Sequence, residues 1–265
     1  MTSSAIEMND LTIRFGGLTA VQRISASVPK GSFSVITGPN GCGKSTLLRA
    51  VAYVRPADEG SVAMLGQDVA RMGRRQLART CSLLPQTIVT PRGLRVEELV
   101  ARGRHPYHSF LSSSAPGDAE IIDRAMERAG VTDLVGRQVT ELSGGQRQRV
   151  WLAMVLAQDT PVILLDEPTT FLDLSAQYLL LDLCSDLVDE GRTVVAVLHD
   201  LPQAAAYADH VLMLKQGRLV AEGPSAEVIT AENVEDTYRI KCRVDLDDPR
   251  GPVVLPLARQ HRLCT

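Results

Sequence analysis

The chain has 265 residues, of which 45% are hydrophobic and 22% charged, and its formal net charge is −3. This composition is that of an ordinary soluble globular protein, and the small negative charge argues against nucleic acid as the main partner. No apolar run approaches the roughly 18 residues needed to cross a bilayer, and residues 1–10 lack the basic and apolar blocks of a signal peptide. Any link to a membrane is therefore expected to run through a partner. The cysteines are odd in number and widely spaced, which predicts reduced thiols in the cytosol: Cys42, Cys81, Cys184, Cys242 and Cys264.

Strands and helices alternate along most of the chain. Strands are predicted at 11–14, 24–28, 32–37, 61–65, 81–84, 162–166 and 193–198. Helices are predicted at 44–54, 97–104, 118–129, 144–158 and 176–190, with Arg55-Pro56 stopping the first. This order predicts an α/β fold with a largely parallel sheet, preceded by antiparallel strands at the N-terminus.

A single domain, 1–265, is predicted to have three parts. Residues 1–88 and 158–225 form the α/β core, and residues 89–157 form a helical insertion with a polar loop at 112–117. Residues 226–265 form a tail with a short helix and a hairpin, whose strands at 242–246 and 253–257 are joined by a turn at 248–251.

A glycine-rich loop follows the strand at 32–37 and matches GxxxxGK[ST] at Gly38-Pro39-Asn40-Gly41-Cys42-Gly43-Lys44-Ser45. Glycines let backbone N–H groups close around phosphate oxygens, and the helix N-terminus adds its positive dipole end. Lys44 is predicted to contact the outer phosphates and Ser45 to offer its hydroxyl to Mg²⁺, with Thr46 beside them in the nucleotide site. The alternative is a tight glycine turn that caps a helix. At Cys42, a small filler residue is favoured over a redox switch.

Two acids, Asp166 and Glu167, follow the apolar residues of the strand at 162–166. Ligands bind at the carboxyl ends of strands in open α/β sheets, so Asp166 is predicted to orient the Mg²⁺ shell and Glu167 to act on a water aligned with the γ-phosphate. The alternative is a strand end capped by solvated acids. Next to a phosphate loop, the two acids predict transfer of a γ-phosphoryl group to water with the help of Mg²⁺.

The sequence resembles the ABC ATPase family, which has a P-loop NTPase core, because Leu142-Ser143-Gly144-Gly145-Gln146 matches the family signature letter for letter. The resemblance covers nearly the whole chain and implies a second phosphate-binding element. Ser143 would cap a helix and point, with the amides of Gly144 and Gly145, at phosphate. In the family this element meets the nucleotide held by a second subunit, so that two ATP molecules are sandwiched in a head-to-tail homodimer. The alternative is an ordinary helix N-terminus.

Four further positions follow the order of the family. Gln86 resembles the Q-loop glutamine, which touches Mg²⁺ and the attacking water, and His199 resembles the switch histidine, which contacts the γ-phosphate. Asp173 resembles the D-loop residue that contacts the opposite subunit. Phe15 matches the aromatic that stacks on adenine, where the family more commonly has Tyr, and a core aromatic is the alternative for it.

The stretches at 101–106, 169–173, 242–244 and 253–257 are similar to ATPases of bacterial ferric-siderophore, haem and cobalamin importers. This resemblance implies an ATPase at the cytoplasmic face of the membrane that drives ferric-siderophore uptake through an integral permease, served indirectly by an extracytoplasmic substrate-binding protein. The alternatives are an importer ATPase for cobalamin or haem, a soluble ABC ATPase of DNA repair or translation, and a phosphate-loop kinase. Pro202 stands where many relatives have Asn, and we expect it in the first turn of a helix.

Residues 87–111 are interpreted as the surface that receives the coupling helix of the permease. The alternative is a plain solvated face, formed by Arg92, Arg95, Arg102 and Arg104. His105 and His108 raise a metal-site hypothesis, which is disfavoured because the sequence places no Asp, Glu or Cys close to them.

Overall fold

The computed structural model describes residues 3–88, 92–108, 115–248 and 251–257. Its strands are β1 (Ser4–Phe15), β2 (Leu18–Pro29), β3 (Phe33–Thr37), β4 (Glu59–Met64), β5 (Gln67–Asp68), β6 (Cys81–Leu84), β7 (Val162–Asp166), β8 (Thr193–Val197), β9 (His210–Lys215), β10 (Arg218–Pro224), β11 (Cys242–Asp245) and β12 (Val253–Pro256). Its α-helices are α1 (Lys44–Val51), α2 (Arg74–Thr80), α3 (Val96–Ala101), α4 (Asp118–Arg128), α5 (Gly144–Ala157), α6 (Leu174–Asp189), α7 (Leu201–Tyr207), α8 (Ser225–Val228) and α9 (Ala231–Tyr238). Each predicted strand and helix has a counterpart, although several ends differ.

The central sheet has the order β10-β9-β3-β8-β7-β6, and its strands run parallel except for β10, which pairs antiparallel with β9. The predicted parallel sheet is therefore confirmed. All residues of β3, β7 and β8 are buried, because apolar strands of this kind are covered on both faces. Since β8 lies between β3 and β7, the three strands end side by side, and the segments that follow them meet at one edge of the sheet.

The predicted antiparallel sheet is also confirmed, with the order β2-β1-β4-β5. Strands β1 and β2 are longer than predicted because the alternation of buried and exposed residues continues beyond the apolar runs. Inward-facing Ile13 and Val21 pack in one cluster with Leu47 and Leu48 of α1. This packing places the start of α1 between the two sheets.

Helix α1 ends earlier than predicted, at Val51 rather than at residue 54. Tyr53 adopts a left-handed φ of 54°. The Val54 amide donates to the Arg49 carbonyl at 3.0 Å, and the Tyr53 amide donates to the Ala50 carbonyl at 3.0 Å. This pair of bonds is a Schellman motif, so the helix is closed by its own backbone before the Arg55-Pro56 step is reached.

The predicted helix at 97–104 is only partly correct, because α3 ends at Ala101 and a 3-10 helix, Arg102–Tyr107, follows. Pro106 disfavours the α conformation at the residue before it. Gly103 packs so closely on α5 that an added Cβ would lie 2.3 Å from the Met154 carbonyl oxygen. The chain therefore tightens at this point to fit against α5.

The interpretation of Arg104 as part of a solvated face is wrong, since its side chain is buried. Its Nε donates to Asp118 Oδ1 at 2.8 Å, and Nη1 donates to the Ala157 carbonyl at 2.9 Å. His108 Nε2 lies 2.8 Å from the other Asp118 oxygen. The fold therefore brings a carboxylate to this histidine from outside its own segment of the sequence. Burial alone would raise the pKa of Asp118, but hydrogen bonds from Arg104, the Ala115 amide and His108 outweigh it and lower the pKa to about 2.

We expect Arg104→Met to lower the free energy of unfolding by about 3 kcal/mol, because it removes one partner of a buried ion pair. Urea denaturation at neutral pH measures this loss. The control is Arg128→Met, which breaks a pair with Glu190 of the same 2.8 Å length but greater exposure and costs about 1 kcal/mol or less. Because the Asp118 carboxylate gains its stabilisation only when ionised, the difference between the variants should shrink as the pH falls towards 2. Equal losses at neutral pH would contradict a special role for the buried pair.

The predicted hairpin of the tail is confirmed, with Cys242 opposite Pro256 and Asp245 opposite Val253. Pro249 and Arg250 of the predicted turn lie outside the described residues, as do residues 112–114 of the predicted polar loop and Cys264. The four cysteines within the described ranges are buried and free. Among the helices of the described ranges, none combines the length and apolar character needed to cross a membrane. The division into core, helical insertion and tail stays a prediction.

Candidate functional site

The glycine loop joins β3 to α1 at the edge where the parallel strands end. Gly38 has a φ of 144°, and a Cβ there would lie 2.1 Å from the Leu214 carbonyl oxygen. Gly43 has a φ of 105°, and its Cβ would lie 2.4 Å from the Ala20 carbonyl oxygen. Both positions therefore require glycine on two grounds, conformation and space. The conformation of the loop is therefore fixed by close packing against β9 and β2.

Lys44 is the first residue of α1, and its side chain lies inside the loop. Its Nζ donates to the carbonyl oxygens of Gly38 at 2.8 Å and Pro39 at 3.0 Å. Burial lowers the pKa of Lys44, while the neighbouring Cys42, Glu167 and Asp166 act in the opposite direction. A buried ammonium group held only by carbonyls is a ready partner for phosphate oxygens.

Asp166 ends β7 and is almost fully buried. Its Oδ2 lies 3.4 Å from Arg49 Nη2, and its Oδ1 has no hydrogen-bond partner among the residues that the structure describes. Burial raises the pKa of Asp166, whereas the Ser45 hydroxyl and the Arg49 guanidinium act to lower it. A buried carboxylate oxygen without a partner, next to a serine hydroxyl, is an oxygen donor set of the kind that Mg²⁺ prefers. The residues present therefore fit that cation.

Glu167 and His199 follow the neighbouring strands β7 and β8, and the structure brings their side chains together. His199 Nε2 lies 2.6 Å from Glu167 Oε1. Glu167 adopts a left-handed φ of 55°, an uncommon conformation for a residue with a side chain. Such outliers concentrate at functional sites, where the surroundings hold them in place.

Most of the predicted nucleotide-binding and catalytic residues surround one cavity of about 490 Å³ at the sheet edge, although Asp166 does not line it. It is lined by Phe15, Leu18, Ala20, Asn40, Gly41, Gly43, Lys44, Ser45, Thr46, Gln86, Glu167 and His199. Leu18 and Ala20 were not predicted, because an exposed residue and a small one in a strand give no signal in the sequence. Gly38, Pro39 and Cys42 do not line this cavity, and Pro39 and Cys42 line a second, smaller one instead.

Phe15 lies at the open side of the cavity and is 48% exposed. The guanidinium carbon of Arg55 lies 4.2 Å from its ring centroid, a cation–π contact. The alternative of a core aromatic is therefore wrong. Its role in stacking on adenine stays a prediction, and adenine would need the part of the exposed ring that Arg55 leaves uncovered.

The signature residues lie at the start of α5. Ser143 caps this helix, as predicted: the Gln146 amide donates to Ser143 Oγ at 3.3 Å, and the Ser143 amide donates to Gln146 Oε1 at 3.1 Å. Ser143 and Gly144 are exposed. Within the described part of the chain, none of the residues from Ser143 to Gln146 lines the cavity around Lys44. One copy of the chain therefore holds two separate candidate phosphate-binding elements.

Two further predicted positions are helix caps. Asp173 accepts a hydrogen bond from the Ala176 amide at 2.8 Å and begins α6. Pro202 lies in the first turn of α7, as expected, after Asp200, which accepts from the Gln203 amide at 2.8 Å. Neither observation tests a contact with a second subunit, which stays a prediction for Asp173.

Comparison with known proteins identifies the family of the chain. Residues 21–170, more than half of the chain, match the family model described as ABC transporter. The chain belongs to the ABC transporter family. As a member of this ABC transporter family, it is an ATPase with the nucleotide-binding cassette fold, so the predicted family, fold class and enzyme class are confirmed.

The chain is similar to several curated relatives and solved structures. It is 44% identical over 264 residues to the ferric enterobactin transport ATP-binding protein FepC of Escherichia coli (strain K12), covering 98% of this chain and 97% of that protein. The structure of an inward-facing metal-chelate type ABC transporter matches with a TM-score of 0.82 and 26% identity, covering 97% of this chain and 99% of that one. The dimeric ABC transporter cassette MJ0796 matches with a TM-score of 0.75 and 25% identity, covering 83% and 98%.

Proposed function

We propose that this ATPase is the ATP-binding subunit of a bacterial importer and that it drives uptake of ferric siderophores through a partner permease. The observation that carries the cargo class is the similarity to a ferric enterobactin transport ATP-binding protein from end to end, tail included. The fold shared with a metal-chelate type transporter points in the same direction.

The site chemistry follows from the cavity at the sheet edge. Lys44 neutralises charge on the outer phosphates, and Ser45 and Asp166 hold Mg²⁺, which supplies further charge neutralisation when bound. Glu167 polarises the attacking water and accepts its proton, since it is the carboxylate nearest to the open cavity. His199 orients Glu167 through the 2.6 Å contact and would bind the γ-phosphate, and Gln86, which lines the same cavity, would contact Mg²⁺ and the attacking water.

The working unit is a head-to-tail homodimer. Because the signature residues lie outside the Lys44 cavity in the same chain, they are free to meet the nucleotide of a second copy, as the dimeric state of the related MJ0796 cassette supports. Asn40, Gly41 and Gly43 then bind phosphate from one side, and the start of α5 binds it from the other. Asp173 contacts the opposite copy beside them.

The permease docks beside Gln86, at the cytoplasmic face of the membrane. A cavity of about 600 Å³ opens there between Gln86 and the start of α5, and Thr87, Ile88 and Phe171 contribute to its walls. Arg92, Arg95 and Arg102 remain exposed on the adjoining surface, unlike Arg104. A coupling helix held in this cavity would sense movement of Gln86 when nucleotide binds. An extracytoplasmic binding protein acts only through that permease.

Deletion of the gene tests the cargo assignment. We expect uptake of at least one radiolabelled ferric siderophore to fall to background and to return with the wild-type gene but not with Glu167→Gln. Uptake of cobalamin and haem serves as the internal control for the alternative cargoes. Loss of either of these, with every ferric chelate still taken up, would transfer the assignment to that cargo.

A further inference from the structure

Helix α9 of the C-terminal tail ends next to the glycine loop. A second cavity of about 300 Å³ lies between Pro39 and Cys42 of the loop and Lys215, Tyr238 and Arg239, and it shares Asn40 and Gly41 with the nucleotide cavity. Tyr238 is the last residue of α9, and Arg239, with a left-handed φ of 58°, ends the helix there. The aromatic side chain thus projects from a fixed helix end towards the loop.

Helix α9 is tied to β9, the strand next to the loop. Thr237 Oγ1 donates to Met213 Sδ at 3.2 Å, and Lys215 Nζ pairs with Asp236 Oδ1 at 2.7 Å. Val234 of α9 is fully buried. These contacts hold the helix in register with the central sheet, so the position of Tyr238 is set by the same sheet that positions the loop.

The Tyr238 hydroxyl bonds the residue from which the loop begins. It lies 2.7 Å from Oγ1 of Thr37, the last residue of β3, which is itself fully buried. Burial raises the pKa of Tyr238, partly offset by hydrogen bonds to Thr37 and to the Gly38 backbone. The hydroxyl is therefore protonated at neutral pH, and the hydrogen bond spans 201 positions of the sequence.

We infer that Tyr238 is a positioning residue for nucleotide binding, acting through Thr37 and Gly38 on the conformation of the glycine loop. Gly38 packs closely against β9, since a Cβ added to it would lie 2.1 Å from the Leu214 carbonyl oxygen. The loop contacts phosphate through backbone amides. The strength of their hydrogen bonds depends on placing the amides within fractions of an ångström. The tail thereby becomes part of the apparatus that binds ATP, an inference that rests on the proposed nucleotide site.

The test compares Tyr238→Phe with Tyr207→Phe in the full chain. Tyr207 is the matched control because its hydroxyl also makes a 2.7 Å hydrogen bond, to Asp182 Oδ1, but on the exposed surface of α6 and α7. We expect Tyr238→Phe to raise the Kd and KM for ATP by at most about fivefold, because the lost hydrogen bond of about 1 kcal/mol shifts the loop away from its binding conformation. Its kcat should change less than about twofold, and Tyr207→Phe should leave all three constants within about twofold.

Two further variants identify the cause. Thr37→Val should weaken ATP binding by a similar factor, and adding it to Tyr238→Phe should weaken binding no further, because both remove the same hydrogen bond. An unchanged Kd in Tyr238→Phe, with or without a lower Tm, overturns the inference. Lys44→Ala distinguishes failure of the positioning role from failure of the proposed nucleotide site. If Lys44→Ala loses ATP binding while Tyr238→Phe does not, only the positioning role of Tyr238 is refuted. Full ATP binding by Lys44→Ala would refute the site itself.

Discussion

Glu167→Gln is expected to bind ATP with near-normal affinity and to hydrolyse it at least about a hundredfold more slowly than the wild-type chain. The amide has the shape of the carboxylate and can keep the 2.6 Å contact with His199, but it cannot accept the proton of the attacking water. The Glu167 side chain is 11% exposed, so little room exists for another base to take its place. Since binding uses the glycine loop and not Glu167, the two properties should separate.

Phosphate release at saturating ATP and equilibrium binding of labelled ATP measure the two effects. Because ATP then persists, size-exclusion chromatography with light scattering should show a stable dimer in ATP and Mg²⁺. Glu120→Gln, on an exposed position in the first turn of α4, controls for the loss of a negative charge. Turnover of Glu167→Gln within about twofold of wild type would refute the role of Glu167 as the base.

The sequence predicts the strands that carry the site because their patterns are strong. β3, β7 and β8 are runs of five buried residues, and each is followed by a chemically distinctive segment. β9 and β10 were not predicted: β9 is rich in Leu and Met, which favour helices as much as strands, and β10 is only partly buried. Helix α2 has no buried residue and hence no periodic apolar face to detect.

The site was predictable where adjacent residues carry a motif and not where the fold alone joins them. The glycine loop and the signature are continuous, so their residue types identify them. The contact between Glu167 and His199 requires β7 and β8 to be neighbours, an order that alternating strands and helices do not specify. The bonds of Arg104 to Asp118 and of Tyr238 to Thr37 depend on packing between separate elements, and the first of these rules out the alternative of a solvated face for Arg104.

Ser143→Arg is expected to retain ATP binding to the single chain and to lose both ATP-dependent dimerisation and hydrolysis. In one chain Ser143 is exposed and lies outside the Lys44 cavity, so an arginine there leaves that cavity unchanged. In the dimer the long side chain would fill the space that nucleotide must occupy at the start of α5. Ser143→Asn is the folding control, because Asn caps a helix as well as Ser does. Full hydrolysis by Ser143→Arg would contradict the composite site and favour a site complete within one chain.

Mixing two inactive variants is expected to restore part of the ATPase activity if the site is composite. Lys44→Ala removes one half of each site and Ser143→Arg the other half, so each homodimer is inactive. In a head-to-tail mixed dimer, the intact glycine loop of the Ser143→Arg chain faces the intact α5 start of the Lys44→Ala chain. Half of random pairings are mixed and each has one complete site of two, so independent sites would restore at most about a quarter of wild-type activity. Activity can return on mixing only if residues of two chains meet at one nucleotide, because neither chain alone supplies both halves.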